Sequence, residues 1–333
     1  MAGSGKGKEP AAAPASTPLP SSSREVGNYA LGQELGSGAY GRVFKGASRK
    51  TGQVVAVKEA RRRAEGIKEW HLMSKVAGHP HVVQAIALEE RRTHVFYVLE
   101  FAAGGDLLSY ATRRGFRLPE EKVQAITRQI VAALLHINAR GVAHFDIKPG
   151  NVLFKDAEHS HVLLADFGAA EVLGKPDRLF TRPAGTVPYM APEVLRCCPG
   201  AEDAAECPRR RGFSKLADNW SLGALVYHLL HGHLPFAVHE DELSAPTQYA
   251  RAQLEAILAR PSLFAEDTQQ SRCSKEARDF ISRLLQVNPA RRMTLEEALE
   301  HPWLESARAG KHGLDDPAGG SSSAQGGKRP RLG

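Results

Sequence analysis

Four polar residues suggest a reaction. Asp146, Lys148 and Asn151 lie together in the segment from Val142 to Leu153, and Asp166 follows inside the run Leu164 to Gly168. Phosphoryl transfer uses such a set: a carboxylate to take up a hydroxyl proton, hard oxygen donors for Mg²⁺, and a cation for the moving phosphoryl group. Upstream, Gly36-Ser37-Gly38-Ala39-Tyr40-Gly41-Arg42-Val43 fits the pattern G-x-G-x-x-G-x-V. Glycine lets backbone amides approach phosphates where a side chain would block them. A dinucleotide-binding turn shares the pattern, but it would lead directly into a helix. Here an alternating segment ending in Val55-Ala56-Val57-Lys58 follows instead.

The elements that must position these residues fall into two halves. Strands are expected at 29–35, 42–47, 53–58 and 94–100, the second and third joined through Thr51-Gly52 as a hairpin. Beyond Gly105 the period becomes helical. From Glu120 to Ala139, Val123, Ile126, Ile130, Leu134 and Ile137 recur three and four apart on one face. A strongly apolar helix is expected at 222–230, with helices around 274–286 and 294–304 closing the chain. Residues 1–27 are rich in Ala, Pro, Ser and Gly and carry too little apolar surface to fold. Residues 305–333 are Gly/Ser-rich and are also read as a tail.

Bulk composition removes several classes. A 333-residue chain with 42% hydrophobic residues can bury a sizeable core. No apolar run is long enough for a transmembrane helix, no signal-peptide core is present, and Ala2 rules out myristoylation. No membrane association is expected. Four cysteines do not form a disulfide scaffold and fit a reducing compartment. A net charge of +7 favours polyanions mildly. No reader motif accompanies it, so a nucleic-acid partner is not expected.

Together the motifs resemble the Gly-rich loop, Val-Ala-Ile-Lys strand, catalytic loop and Asp-Phe-Gly segment of eukaryotic-type Ser/Thr protein kinases. The resemblance covers residues 28–304. It implies an α+β fold of two lobes, a small β-rich N-lobe and a larger helical C-lobe, with ATP and Mg²⁺ as cofactors and proteins as substrates. It implies that Asp146 takes the substrate hydroxyl proton, that Lys148 steadies the phosphoryl group, and that Asn151 and Asp166 hold Mg²⁺. Lys58 would bind the nucleotide phosphates, held by Glu69, with Glu65 one turn earlier as the alternative. Gly36, Ser37, Gly38, Ala39, Tyr40 and Gly41 would cover the phosphates, and Val43, Ala56 and Leu153 would sandwich the purine. Leu99 takes the gatekeeper position. Glu100 and Ala102 would offer backbone groups to adenine, and Asp106 could reach the ribose or a substrate residue. Thr186 would bond to Asp146 and Lys148 as part of the substrate platform. Asp218 would tie down the catalytic-loop backbone, and Arg292 would pair with Glu193. Lys148-Pro149 resembles the Ser/Thr class. A non-catalytic scaffold of the same fold is the alternative, but it usually requires loss of the lysine or an aspartate, and neither is lost.

The departures concern regulation and partners. Phe145 stands where most such kinases have the arginine that receives an activation-loop phosphate, and Arg182 stands at the usual phosphosite, beside Thr181. Activity without activation-loop phosphorylation is therefore expected; the alternative is a phosphorylated Thr181 read by Arg178 or Arg182. Gly150 and His228 stand where acids often read substrate arginines, so at most a weak basic preference is expected. Residues 196–211 form an apparent insertion with three cysteines, read as an exposed basic loop rather than a zinc site because a fourth ligand is missing. Gly78-His79-Pro80-His81 and the Glu300-His301-Pro302-Trp303 end are similar to calmodulin-dependent-kinase-like enzymes. The brevity, the insertion and the non-arginine loop resemble SH3-binding or virus-encoded kinases. Lys328-Arg329-Pro330-Arg331 fits a nuclear-import pattern. A monomer in the cytoplasm, the nucleus or both is expected.

Overall fold

The structure is a computed structural model that describes residues 24–38, 41–174, 178–199, 212–236, 238, 246–260, 263–264 and 273–309. Most of the expected tails, residues 200–211 of the insertion, and the 328–331 segment lie outside the described residues.

Alternating sequence builds the first half. β1 (Glu25–Val26), β2 (Tyr29–Gly38), β3 (Gly41–Ser48), β4 (Val54–Ala60), β5 (Ala85–Glu90) and β6 (Val95–Glu100) form an antiparallel sheet in the order β1-β2-β3-β4-β6-β5. Side chains alternate between its faces. Phe44, Val55, Val57, Phe96 and Val98 share one face and close a small core with Val26 and Leu31. The register pairs Val43 with Lys58, Lys58 with Tyr97, and Ala56 with Leu99. Directly opposed residues share a face, so these five residues point to the other side. There helix α1 (Arg63–Lys75) packs, burying Glu69, Leu72 and Met73. The expected strands are all present; β5 escaped the sequence reading because Ala85–Glu90 is short and only partly apolar.

The second half is helical. β7 (Gly105–Asp106) leads into α2 (Leu107–Thr112), whose first turn is capped by the Asp106 carboxylate accepting from the Ser109 amide. α3 (Glu120–Ala139) matches the expected helix and buries the expected face. Short strands follow: β8 (Val142–Ala143), β9 (Val152–Phe154), β10 (Val162–Leu164) and β11 (Glu171–Val172). β9 lies between β10 and β7, and β8 pairs with β11, so the catalytic loop is pinned at both ends. α4 (Pro192–Leu195) precedes α5 (Leu216–His231), which is buried along nearly its whole length and stops at Gly232 in the left-handed conformation. α6 (Pro246–Ala259) packs against α4, and α7 (Lys275–Leu284) packs against α5.

The single helix expected at 294–304 is two: α8 (Leu295–Leu299) and α9 (Pro302–Ala309). Thr294 and Glu297 cap the first reciprocally, and Pro302 starts the second where it needs no amide donor. β1 and α9 also carry ordered structure past the expected boundaries at 28 and 304. No helix among the described residues is long and apolar enough to cross a membrane.

The C-lobe is locked by one ion pair. Arg292, with no exposed side-chain surface, forks onto Glu193 at 2.7 and 3.0 Å and also donates to the Leu216 and Gln286 carbonyls. Arg292→Met would leave a nearly buried carboxylate without its cation. A loss of about 3 kcal/mol in urea unfolding is expected; an unchanged midpoint would show that the pair is not structural.

Candidate active site

The catalytic loop has the conformation it does because Asp218 is buried beneath it. This carboxylate, fully inaccessible on α5, accepts from the His144 amide at 2.8 Å and the Phe145 amide at 2.7 Å. Burial pushes its pKa up, while His144 and the two amides act in the opposite direction. Phe145 adopts a left-handed φ of 62°. The next residue, Asp146, is thereby turned toward the cleft.

Around Asp146 the bonds form a closed relay. Lys148 Nζ donates to Thr186 Oγ1 at 2.7 Å, and the Thr186 hydroxyl donates to Asp146 Oδ1 at 2.7 Å. Lys148 Nζ also lies 2.8 Å from Asp146 Oδ2. Asn151 Nδ2 donates to the Asp146 carbonyl and to its Oδ2, at 2.8 and 2.9 Å. Thr186 arrives because Gly185 crosses the loop closely. With φ 110°, a Cβ there would lie 2.4 Å from the Phe145 carbonyl oxygen. Every contact expected for Thr186 is present.

A second cluster joins the lobes. Lys58 Nζ lies 2.8 Å from Glu69 Oε1 and 2.7 Å from Asp166 Oδ1. Burial disfavours the Lys58 charge, but the fields of Glu69 and Asp166 and their hydrogen bonds prevail and hold its pKa above the ordinary 10.5. For Asp166, burial raises and Lys58 lowers; Lys58 wins and the carboxyl sits below its usual range. Glu69 is the residue that holds Lys58. Glu65 is exposed and pairs with Arg62 instead.

The donor set fits a hard cation. Asn151 commits its amide nitrogen to Asp146, which leaves its carbonyl oxygen, and Asp166 commits Oδ1 to Lys58 and the Gly168 amide, which leaves Oδ2. Two such oxygens suit Mg²⁺. Around the nucleotide position, Val43, Ala56, Leu99 and Leu153 are half-buried. A Cβ on Gly36 or Gly38 would meet no protein atom, so those positions face open space. Ser37 is exposed beside them and Gly41 is buried at the base of β3; Ala39 and Tyr40 lie outside the described residues. The Glu100 side chain turns to the Gln84 amide and Lys155, its own amide donates to the Gln84 carbonyl, and the Ala102 carbonyl accepts from the Gly105 amide. Asp106 places both oxygens on Ser109, so a ribose or substrate contact would have to share the helix cap.

Residues 29–304 match the protein kinase domain. The chain belongs to the protein kinase family. This kinase is 35% identical over 292 residues to serine/threonine-protein kinase RAD53 of Saccharomyces cerevisiae, covering 86% of this chain but 34% of that protein. It is 35% identical over 281 residues to a probable myosin light chain kinase of Dictyostelium discoideum, covering 83% and 81%. With the calcium/calmodulin-dependent protein kinase cmkA of Emericella nidulans it shares 32% over 301 residues, covering 89% and 66%. These relatives place the domain in the eukaryotic serine/threonine class and agree with the calmodulin-dependent-kinase-like resemblance.

Sequence reasoning missed two groups of residues. Tyr97 donates its hydroxyl to Glu69 Oε2. Its signal was present, since alternation puts it on the face of Lys58 and Leu99. Phe180 and Phe213 meet edge-on against Phe145, with centroids 5.1 and 5.0 Å away. They are far apart in sequence, and only the fold brings them together.

Two half-buried histidines are expected to make the kinase acid-sensitive. Burial, then His136, His81 and Arg140, lowers His79 to about 4. Burial and His233 lower His228 to about 4. Both stay neutral in the fold while the unfolded chain takes up protons near 6.5. The unfolded state thus binds more protons in that window, and stability falls as pH drops from 6.5 toward 4. Denaturant midpoints measured across this range should fall with acid, and less steeply in His228→Gln; equal slopes would show that His228 is not responsible.

Proposed function

We propose that this kinase transfers the γ-phosphate of ATP to serine and threonine hydroxyls of protein substrates, and does so without phosphorylation of its activation loop. The observation that carries the catalytic part is the pair of networks, Glu69–Lys58–Asp166 bridged by the lysine and the closed Lys148–Thr186–Asp146. The Asp146 carboxylate would accept the proton as the substrate oxygen attacks the γ-phosphorus and ADP leaves. Lys148 would neutralise charge on the transferring oxygens, and Lys58 would hold the nucleotide phosphates. Mg²⁺, when bound by Asn151 and Asp166, supplies charge neutralisation between the phosphates.

Phosphorylation independence is supported by what surrounds Phe145. Its ring is buried between Phe180 and Phe213, and the backbones of those two residues exchange hydrogen bonds of 2.8 and 2.9 Å. The activation segment is thus held to the catalytic loop by apolar burial, where an arginine would need a phosphate. Thr181 is exposed next to this clasp, and Arg178 lies over the Phe180 ring and donates to the Val172 carbonyl.

The substrate groove supports a weak basic preference. His228 is stacked on Phe116 with centroids 4.0 Å apart and pairs with the Tyr189 hydroxyl at 2.8 Å. It stays neutral at physiological pH. Gly150 offers no side chain, and Leu108 beside it is exposed. A monomeric protein distributed between cytoplasm and nucleus completes the reading, the distribution resting on residues 328–331 alone.

Unphosphorylated protein should show Mg²⁺-dependent transfer to a general Ser/Thr substrate that is lost in Asp166→Ala; ATP binding without transfer would favour the scaffold alternative. Thr181→Ala should keep activity within about twofold of wild type, well under the tenfold that 1.4 kcal/mol represents; abolition with the fold intact would contradict phosphorylation independence. A peptide array should show no strict multi-arginine selection, and such selection would overturn the groove reading.

A further inference from the structure

Tyr97 has no role in the chemistry so far, yet it is fully buried and its hydroxyl is spent on Glu69. It lies on β6 directly across from Lys58 of β4. Glu69 therefore has a fixed partner for each oxygen, Lys58 for Oε1 and the Tyr97 hydroxyl for Oε2. The helix carboxylate is in this way fixed from two neighbouring strands.

Gly66 gives an independent reason to regard the helix as seated. It lies three residues before Glu69, at the point where α1 meets the sheet. A Cβ there would come within 2.5 Å of the Ala60 Cβ and 3.6 Å of Val95. The helix rides closer to β4 and β6 than any larger residue would allow. That close approach shortens the reach from Glu69 to both partners, and the link from Lys58 to Glu69 is only eleven residues.

We propose that Tyr97 is a positioning residue, whose hydroxyl sets the Glu69 carboxylate and keeps helix α1 against the sheet so that Lys58 is aimed at the nucleotide phosphates. This rests on the phosphoryl-transfer reading above. The device lies inside the N-lobe, independent of the Phe145 clasp. The groups facing Glu69 are Lys58 from β4, Tyr97 from β6 and Asp166 after β10. Burial raises the Glu69 pKa and Asp166 adds to it, while Lys58 and the Tyr97 hydroxyl act against them. Removing the hydroxyl removes one of the two groups that favour the carboxylate. Glu69 then protonates at higher pH, and a neutral Glu69 releases Lys58.

The test is Tyr97→Phe in the full chain, which keeps the ring in the core. Expected are a KM for MgATP raised about three- to tenfold, the range that loss of one buried hydrogen bond represents, a smaller fall in kcat, and an acid limb of kcat/KM displaced to higher pH. Gly66→Ala should raise KM in the same direction by lifting the helix. A merely structural tyrosine would lower the melting temperature and leave the acid limb in place. Unchanged KM and an unchanged acid limb in Tyr97→Phe would overturn the proposal. If wild-type protein shows no Asp166-dependent transfer, the functional reading fails separately, and amide exchange along 63–75 still decides. Faster exchange confined to α1 in Tyr97→Phe supports the positioning role, and identical exchange refutes it.

Discussion

The buried carboxylate of Asp218 is the constraint on which the rest depends. It fixes the backbone at His144 and Phe145 with two short hydrogen bonds from the first turn of α5, a helix buried along nearly its whole length. Phe145 in turn is held at a φ of 62°, a left-handed conformation that costs on the order of 1 kcal/mol for a residue other than glycine. Two amide bonds to a buried carboxylate offset that strain. The twist sends the Phe145 ring back toward Phe180 and Phe213 and turns Asp146 toward Thr186 and Lys148. One anchor therefore determines both the catalytic base and the docking of the activation segment.

Charge does the equivalent work between the lobes. Lys58 is nearly buried, which would disfavour its ammonium if it stood alone. Glu69 and Asp166 reverse that outcome, and the three side chains come from β4, α1 and the segment after β10. Helix, sheet and C-lobe thus meet on a single ammonium. The aromatic clasp and this ionic junction use different physics. Apolar burial holds the activation segment to the catalytic loop, whereas the junction is held by charge.

Much of this was legible in the sequence, for identifiable reasons. Lys58, Asp146, Asn151 and Asp166 lie in short motifs whose chemistry admits few substitutes, and the family resemblance assigned Val43 and Ala56 to the purine, on the face that the register shows they share with Lys58. The face of α3 followed from its apolar spacing alone. What sequence could not show was contact across long separations. Phe180 and Phe213 are unremarkable apolar residues until the fold sets them edge-on against Phe145, and Asp106 reads as a cleft carboxylate until Ser109 is seen to use both its oxygens. The break between α8 and α9 was predictable from Pro302 and was masked by helical spacing that continues through it.

The central claim is that packing around Phe145 replaces a phosphate in holding the activation segment. The most direct measurement is the turnover of unphosphorylated Phe180→Ala, with nucleotide affinity and thermal melting followed in parallel. The account predicts a fall in kcat of tenfold or more, about 1.4 kcal/mol of transition-state stabilisation, with nucleotide affinity unchanged and the fold retained, because only the segment loses its hold. Wild-type turnover in that variant would contradict it and show that the segment is held by something other than the aromatic clasp.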